Sequence, residues 1–264
     1  PNPCVRCNQF VRFDGLIRLA DDLGVDYVAT GHYARVRYDR ENGRYDLLKG
    51  VDPQKDQSYM LHTLTQAHLA RILFPLGDLT KPETRQIARD LSLPVAEKPD
   101  SVELCFVAGG NYRQFLQERV PEAVRAGDVV DRDGNVLGRH DGISGFTVGQ
   151  RKGLGIPAPD PRFVIELRPR ENQVVVGSRA DAAATGLTCS QLAFTDEPPE
   201  NPFACAVKIR YRSPERAASI TVDGDRAHVQ FAEPVWGVAP GQFAVFYDDD
   251  RVIGGGAIEA ARRD

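Results

Sequence analysis

Helical and strand patterns alternate along the first part of the chain and give way to short strands near Gly109, and this change limits the fold more than any other feature. Residues 8–23 carry apolar side chains at helical spacing up to Gly24, and the next segment, VDYVATGHY, is typical of a short buried strand that ends at Gly31. Such alternation indicates an α/β domain, in which ligands bind beyond the carboxyl ends of the strands. Thr30, Gly31 and His32 are therefore candidate site residues.

Turn signals mark the hairpins of the chain. Asn42-Gly43 joins two alternating runs in the first part, and Asp133-Gly134 joins two more in the middle. After about Leu187 nearly all segments are short strands, the pattern of a small barrel or sandwich. We predict an α/β plus β protein that begins inside an α/β domain, with domains over 1–108, 109–180 and 181–264.

Composition excludes several classes of protein. With 42% hydrophobic residues, 27% charged residues and a formal net charge of −4, the chain is globular and has no overall positive field, so nucleic-acid binding needs local basic patches. The sequence shows neither a run of about 18 apolar residues nor a signal-peptide pattern, so we predict a cytoplasmic protein without a membrane partner. Five cysteines, an odd number, argue against a secreted disulfide framework.

The opening segment PNPCVRCNQF places Cys4 and Cys7 in a Cys-x-x-Cys pair. A helix predicted to start at Asn8 would put Cys7 at its N-terminus, where unpaired N–H groups and the helix dipole stabilise a thiolate and favour a nucleophile. The alternative is half of a structural metal site. A zinc ribbon needs a second such pair, whereas Cys189 and Cys205 stand alone in strand-like segments.

A third cysteine, Cys105, lies among apolar residues in KPDSVELCFVAGG. Two interpretations remain open for it. It is either a buried small hydrophobic side chain or, with Cys4 and Cys7, the third ligand of an iron–sulfur site with one open position.

Several polar motifs have an ordinary structural explanation beside a functional one. His32 is as consistent with a hydrogen-bonded histidine at a strand end as with a ligand-facing one. The run Lys55, Asp56 and Gln57 is typical of a solvated turn, and VGQRKGLG lacks the spacing of a phosphate-binding Walker loop.

The segment CAVKIRYRS predicts a strand with three cations on one face. Lys208, Arg210 and Arg212 would recur there at intervals of roughly 6.6 to 6.8 Å. A row of this kind can follow a phosphate backbone, although a solvated strand face has the same pattern.

Eight ordered segments together resemble the tRNA-specific 2-thiouridylases, the MnmA/TrmU family. They span nearly the whole chain and read NPCVRCNQFVRFDGL, DYVATGHYARV, KDQSYML, FPLGDLTKPETRQIA, KPDSVELCFV, TVGQRKGLGI, VKIRYRS and PGQFAVFY. The resemblance implies a partial Rossmann-like domain of the adenine nucleotide alpha hydrolase type, a small mixed central domain and a C-terminal β-barrel. It also implies an ATP-dependent sulfurtransferase that uses ATP with Mg²⁺, a sulfur donor and tRNA, and not DNA, as partners.

The same resemblance assigns roles to individual residues. Cys7 matches the family's nucleophile and Cys105 the cysteine that carries the persulfide, and the two can close as a disulfide when sulfur is released. The remaining matches are Asn2, Pro3 and Cys4 beside the target base, Gly31 at ATP, and His32, Lys55, Asp56, Gln57, Arg210, Tyr211 and Gln242 in contact with tRNA.

Two features depart from the family pattern. Cys4 stands where many members carry aspartate, so thiolation that depends on a [4Fe-4S] cluster held by Cys4, Cys7 and Cys105 is the mechanistic alternative. The family's Ser-Gly-Gly-x-Asp-Ser loop, whose backbone amides grip the ATP phosphates, is absent from the sequence. We therefore expect this polypeptide alone to be an incomplete sulfurtransferase that does not thiolate tRNA. A non-catalytic tRNA-binding module is the competing interpretation.

Overall fold

The computed structural model describes residues 2–99, 105, 107, 112–157 and 160–263. They group into two compact units. The first unit comprises Pro1–Asp100, Thr188–Ala232 and Pro240–Glu259, and the second comprises Ser101–Leu187, Glu233–Ala239 and Ala260–Asp264. Within the described residues, no helix is both long and apolar enough to cross a membrane. The division into three domains stays a prediction.

The first unit opens with a continuous helical stretch made of α1 (Pro3–Cys7), a π-helical segment (Asn8–Phe13) and α2 (Asp14–Asp22). Asn2 caps it, because its side-chain Oδ1 accepts a hydrogen bond from the backbone N–H of Cys4 at 3.1 Å. Pro3 lies in the first helical turn, where a backbone N–H would have no acceptor within the helix, so proline's lack of an N–H costs no hydrogen bond. The predicted helix start at Asn8 is therefore wrong, since the helix begins at Pro3.

The C-terminal end of this stretch confirms the predicted stop at Gly24. That glycine has a φ of +65°, its N–H donates to the Asp21 carbonyl at 3.1 Å, and the N–H of Val25 donates to the Ala20 carbonyl at 2.9 Å. These two bonds form a Schellman motif, which satisfies carbonyls left over at the helix end.

The rest of the α/β part consists of short elements. They are β1 (Val28–Ala29), β2 (Ala34–Asp39), β3 (Arg44–Lys49), a 3₁₀ turn (Ser58–Leu61), α3 (Gln66–Leu69), β4 (Ile72–Leu73) and α4 (Lys81–Asp90). Strand β1 pairs in parallel with β4. Ala29 is exposed and Val28 only half-buried, so the expectation of a buried strand before Gly31 is wrong.

Two local predictions in this part are confirmed. The backbone N–H of Thr80 donates to Oε2 of Glu83 at 2.7 Å, which is the capping box that their spacing predicts at the start of α4. Strands β2 and β3 form the predicted antiparallel hairpin, and Gly43 takes a φ of +67° in its turn.

The second unit contains α5 (Tyr112–Arg119), β5 (Gly127–Val130), β6 (Val136–His140), β7 (Phe163–Arg168) and β8 (Gln173–Gly177). The strands form one sheet in the order β6-β5-β8-β7. Both predicted hairpins of this region are confirmed, since β5 pairs antiparallel with β6 and β7 with β8. Buried valines on β5, β7 and β8 form the core of the sheet, namely Val129, Val164, Val174 and Val176.

The later strands are β9 (Ala183–Phe194), β10 (Phe203–Lys208), β11 (Arg216–Asp223), β12 (Arg226–Trp236), β13 (Phe243–Asp248) and β14 (Arg251–Arg262). They follow the order β13-β10-β11-β12-β9-β14, and β13 also pairs with β14, which closes a barrel. The predicted β-barrel is thus confirmed, and closure removes the open sheet edges. The hairpin of β2 and β3 continues the same sheet beside β14.

Sequence patterns explain the barrel. Along β12, buried Ala227, Val229 and Phe231 alternate with exposed residues, as expected for a strand with one face on a core. In β14, a Cβ on Gly254 would lie 2.3 Å from the carbonyl oxygen of Ala193. Only glycine therefore allows these two strands to approach so closely.

The predicted strand with three cations is only partly present. Strand β10 ends at Lys208, and a turn follows in which the N–H of Ser213 donates to the Arg210 carbonyl at 3.1 Å. Alternation with period two does not continue through a turn. The expected row of Lys208, Arg210 and Arg212 along one strand face is therefore wrong.

Candidate functional site

The two cysteines of the opening motif lie at the start of the helical stretch, but their positions in the helix are the reverse of those predicted. Cys4, not Cys7, is in the first turn, since its N–H is the one that Asn2 caps. Cys7 ends α1 and is followed at once by the π-helical segment. The argument that a helix N-terminus stabilises a Cys7 thiolate is therefore wrong. Neither thiol forms a disulfide, and both are half-buried.

Arg6 fixes the cysteine-bearing helix to the barrel. Its Nη1 donates to Oε1 of Gln9 at 3.2 Å, and its Nη2 contacts Oε1 of Gln191 on β9. The guanidinium also lies 5.2 Å from the ring centroid of Phe243 on β13, within the range of a cation–π contact. Arg6 is not among the residues that the sequence predicts for the site, although a cation inside the Cys-x-x-Cys motif is a signal that points to it.

The helix also packs on the 3₁₀ turn that follows the polar run. Nδ2 of Asn8 donates to the Met60 carbonyl at 3.4 Å. Tyr59, in the same turn, donates from its hydroxyl to the Phe243 carbonyl at 3.0 Å and receives the Phe243 N–H at 3.3 Å. These contacts place the turn between the helix and the barrel within the first unit.

The polar run itself is not a solvated turn. Asp56 is 6% exposed, and its carboxylate accepts hydrogen bonds from the N–H of Gly50 at 3.1 Å, the N–H of Ser58 at 3.0 Å and the Ser58 hydroxyl at 2.9 Å. Oε1 of Gln57 accepts the N–H of Tyr33 at 3.0 Å. The expectation of a solvated turn is therefore wrong for Asp56, because its oxygens hold the loop closed.

Several of the predicted tRNA-contacting residues lie within electrostatic range of Tyr211. Burial raises the pKa of this half-buried tyrosine, and the negative charge of Asp56 raises it further, while Arg212 and Lys55 act in the opposite direction. Cys4 is also close enough to act on it electrostatically. The fold therefore brings residues separated by about two hundred positions in the sequence into one region of the first unit.

Arg210 and Gln242 lie beside this region. Arg210 is half-buried, burial lowers its pKa, and it acts electrostatically on Tyr59. Gln242 is half-buried, precedes Phe243, and accepts the N–H of Ile258 at 2.7 Å through its backbone carbonyl. Tyr59 thus links the two, since it contacts Phe243 and lies near Arg210.

His32 is an internally bonded histidine. It is 6% exposed, its Nε2 is 3.1 Å from Nη1 of Arg12, and its Nδ1 is 2.8 Å from the Thr30 hydroxyl. Because arginine can only donate, Nε2 must be the acceptor, so Nδ1 carries the proton and donates to Thr30. Burial and the Arg12 charge lower its pKa to about 4.

Gly31, beyond the carboxyl end of β1, leaves room for a ligand. A Cβ added there would meet only Cδ1 of Leu76 at 3.7 Å, an ordinary contact, and the residue is exposed. The protein itself therefore does not require glycine at this position. An open backbone at a strand end suits the close approach of a nucleotide.

Cys105 lies in the second unit and is exposed, so the interpretation of a buried small side chain is wrong. Its neighbours 101–104, 106 and 108–111 lie outside the described residues, and its expected pairing with Cys7 stays a prediction. None of the five cysteines, all of which belong to the described residues, forms a disulfide. Within the described part of the chain, no three His, Cys, Asp or Glu side chains are grouped so as to hold a metal ion.

The other two cysteines are unsuited to thiol chemistry. Burial is the main cause that raises the pKa of both Cys189 and Cys205 to about 12. Since the thiolate is the reactive form, both are inert near neutral pH.

Comparisons with known proteins assign three domain families. Residues 1–109 match the tRNA methyl transferase HUP domain, residues 113–178 match the tRNA methyl transferase PRC-barrel domain, and residues 184–258 match the aminomethyltransferase beta-barrel domain. This succession agrees with the predicted fold class of a Rossmann-like domain, a small central domain and a C-terminal β-barrel.

Curated relatives are similar over nearly the whole chain. The tRNA-specific 2-thiouridylase MnmA of Carboxydothermus hydrogenoformans is 46% identical over 262 residues, which cover 98% of this chain and 72% of the relative. The proteins of the same name from Trichormus variabilis and Geobacter metallireducens are each 48% identical, over 98% and 99% of this chain. The matches cover 74% and 71% of those two relatives.

Proposed function

Because the chain belongs to the tRNA-specific 2-thiouridylase MnmA family, we propose that it serves the replacement of the C2 oxygen of the wobble uridine in tRNA by sulfur. The observation that carries this proposal is the convergence of Cys4 with Lys55, Asp56 and Tyr211 in the first unit. A pair of half-buried thiols on a helix beside cationic side chains suits a site that receives RNA and performs sulfur chemistry on it.

In this proposal the residues around Tyr211 form the RNA-contacting face. Lys55 and Arg212 supply positive charge near Tyr211, which suits phosphate groups even on a protein with a net charge of −4. Asn2, Pro3 and Cys4, at the helix start, lie beside the target base, which must turn out of its stack to reach the thiols. Arg210 and Gln242 extend the face next to Tyr59.

Three of the residues predicted to contact tRNA act by holding other groups in position. Asp56 and Gln57 hold the loop that carries Lys55, since their side-chain oxygens accept backbone N–H groups at 3.0 to 3.1 Å. His32 holds Arg12 and Thr30 at the end of β1 next to Gly31. We therefore propose positioning roles for these three side chains.

The chemistry requires two cysteines. ATP, accompanied by Mg²⁺, supplies the adenylyl group that makes the uridine C2 oxygen a leaving group, and Gly31 contacts this nucleotide. The terminal sulfur of a persulfide on Cys105, delivered by a sulfur donor, attacks C2, and the C2–O bond breaks as AMP leaves. The Cys7 thiolate then attacks Sγ of Cys105, which leaves the terminal sulfur on the uridine and forms a Cys7–Cys105 disulfide for an external thiol to reduce.

Thiolation needs a phosphate-gripping loop in addition to these residues. The sequence carries no Ser-Gly-Gly-x-Asp-Ser segment. We therefore propose that this polypeptide alone does not thiolate tRNA and that the complete reaction takes place in the cytoplasm.

The test is the 2-thiouridine content of tRNA from cells whose sole 2-thiouridylase is this chain extended by a segment that supplies the Ser-Gly-Gly-x-Asp-Ser loop. Mass spectrometry of digested tRNA compares wild type with Cys7→Ser, Cys105→Ser and Cys205→Ser. We expect the first two variants to abolish the thionucleoside, whereas Cys205→Ser, which changes an inert thiol, preserves it.

Two other outcomes contradict the proposal in different ways. Unchanged 2-thiouridine in Cys7→Ser and Cys105→Ser would leave only a non-catalytic tRNA-binding module. Loss in Cys4→Ser together with iron in the purified protein would favour the [4Fe-4S] alternative.

A further inference from the structure

The second unit contains a cavity of about 590 Å³ that no step above uses. Strands β7 and β8, the start of β9 and the last residues of the unit form its walls. Its lining includes three arginines and two acidic residues, which are Arg132, Arg168, Arg263, Glu166 and Asp181. The volume falls within the range of small-molecule sites, about 300 to 1,000 Å³.

The acidic side chains of the cavity are already committed to partners. Nη1 of Arg132 donates to Oδ1 of Asp181 at 2.5 Å, and Oδ2 of that aspartate accepts the N–H and hydroxyl of Ser178, both at 2.8 Å. Nε and Nη2 of Arg168 each donate to Glu166 at 3.1 Å. Hydrogen bonds from Ser178 and Arg132 hold the pKa of Asp181 below its usual range, so the ion pair persists at neutral pH.

Positive charge remains after this pairing. Three guanidinium groups face two carboxylates, which leaves a net charge of about +1 on the cavity wall. Arg263 is the third cation, and its Nη2 donates to the backbone carbonyl of Ile165 at 2.9 Å, so it is held in place by a neutral partner. Each guanidinium has five N–H donors, and the described contacts use at most two of them on Arg132, Arg168 or Arg263.

Apart from the hydroxyl-bearing Thr185, the remaining wall is apolar. It consists of Ile165, Val175, Ala180, Ala183 and Pro234. A ligand that fits must therefore combine one negative charge with a less polar body. A nucleotide within an RNA strand has this composition, because its phosphodiester carries a single charge and its base offers a flat face.

We propose that this cavity binds one nucleotide of an RNA strand, with the phosphodiester on Arg263 and Arg132 and the sugar and base against Ile165, Val175 and Pro234. The proposal rests on the proposed function, which supplies tRNA as the RNA. It adds to that function a contact in the second unit, whereas the predicted tRNA-contacting residues belong to the first unit. The net charge of about +1 matches the single negative charge of a phosphodiester, and the test below separates this ligand from a free nucleotide.

The test measures the affinity of the full chain for a tRNA transcript with uridine at the wobble position as a function of salt concentration. We compare wild type with Arg263→Gln, Arg263→Lys and Arg170→Gln. Arg170 is exposed in the turn between β7 and β8 and does not line the cavity, so it is the matched control for loss of charge. We expect Arg263→Gln to weaken binding several-fold and to lower the slope of log Kd against log salt by about 0.7 to 0.9, one phosphate contact.

The controls should behave differently. Arg263→Lys keeps the charge and should keep the slope, and Arg170→Gln should match wild type. A further variant, Ala180→Glu, adds a negative charge at an exposed position of the lining and should weaken binding at least as much as Arg263→Gln. Thermal unfolding verifies that each variant is folded.

Three results would overturn the inference. Equal slopes in Arg263→Gln and Arg170→Gln would overturn it while leaving the proposed function intact. Binding of free uridine monophosphate that Arg263→Gln abolishes, with tRNA affinity unchanged, would assign the cavity to a free nucleotide instead. Absence of tRNA binding by wild type would refute the proposed function, and this inference with it.

Discussion

The cysteines of the first helix and those of the barrel share a side chain but differ in environment. Cys4 and Cys7 are half-buried on a helix, whereas loss of solvation raises the pKa of buried Cys189 and of half-buried Cys205 to about 12. The barrel thiols serve as packing groups, whereas the helix leaves part of Cys4 and Cys7 exposed to solvent. The local environment of a thiol, more than its residue type, therefore separates a candidate catalytic thiol from a structural one.

The same division runs through the predicted tRNA-contacting residues. Lys55 and Tyr211 keep part of their surface, whereas Asp56 and His32 are 6% exposed and have their polar atoms paired inside the protein. Lys55 and Asp56 are therefore neighbours in sequence but differ in exposure, since Lys55 is half-buried and Asp56 is buried. A family motif identifies the segment, and the fold decides which of its side chains can touch a ligand.

The largest expected effect concerns alkylation. At pH 8, a thiol with a pKa of about 12 is almost entirely protonated, so Cys189 and Cys205 should react with iodoacetamide at least ~100-fold more slowly than exposed Cys105 in the native protein. Peptide mass spectrometry after timed quenching measures each site. Rapid labelling of Cys189 in the native protein would contradict this difference between helix and barrel thiols. As a control, the cysteines should be alkylated at equal rates in urea, where the protein is unfolded.

The next effect is the pH dependence of stability. Burial lowers the pKa of His32 and His62 to about 4, below the unfolded value of about 6.5. The unfolded state therefore binds more protons between these values, so the free energy of unfolding should fall as pH drops from 6.5 to 4, by up to about 3 kcal/mol for each histidine. Urea titrations across this range measure it, and histidine NMR signals that show His32 protonated at pH 6 would refute it.

A smaller effect is expected at Asp56. Replacing this carboxylate by alanine leaves buried donors on Gly50 and Ser58 without partners, so Asp56→Ala should destabilise the protein by about 2 to 4 kcal/mol. Glu41→Ala, at an exposed turn position, is the control and should change stability by less than about 0.5 kcal/mol. Equal stability of the two variants in urea would mean that Asp56 acts only on a ligand.

The smallest effect is expected at Gly31. A methyl group there meets only Leu76 at 3.7 Å, so Gly31→Ala should alter the free energy of unfolding by less than about 0.5 kcal/mol. Gly254→Ala, whose Cβ would lie 2.3 Å from the Ala193 carbonyl, should be clearly destabilised in the same urea titration. Strong destabilisation by Gly31→Ala would show that the glycine serves the fold and would remove the structural argument for an ATP contact.

Local sequence patterns predicted those elements whose signals are local. The capping box at Thr80, the stop at Gly24 and the hairpin turn at Gly43 each depend on residues within one turn of the chain. The start of the first helix was missed, although Asn2-Pro3 is a strong N-cap and first-turn pair. A strand was extended past Lys208 because alternation continued in the sequence after hydrogen bonding had ended.

The site could be predicted only in part, because its contacts join distant segments. Family motifs named Cys4, Lys55 and Tyr211, but no local pattern shows that Tyr211 lies near the other two. Arg6 was missed because its partners are Gln191 and Phe243, more than 180 positions away. The burial of Asp56 was missed because a polar run suggests solvent unless its backbone partners are known.

The most direct test of the central claim is a footprint of the helix thiols. The full chain is alkylated with and without a saturating tRNA transcript, and the labelling of each cysteine is measured by mass spectrometry. If the face around Tyr211 receives RNA, tRNA should slow labelling of Cys4 and Cys7 several-fold. Tight tRNA binding that leaves the labelling of Cys4 and Cys7 unchanged would contradict the account.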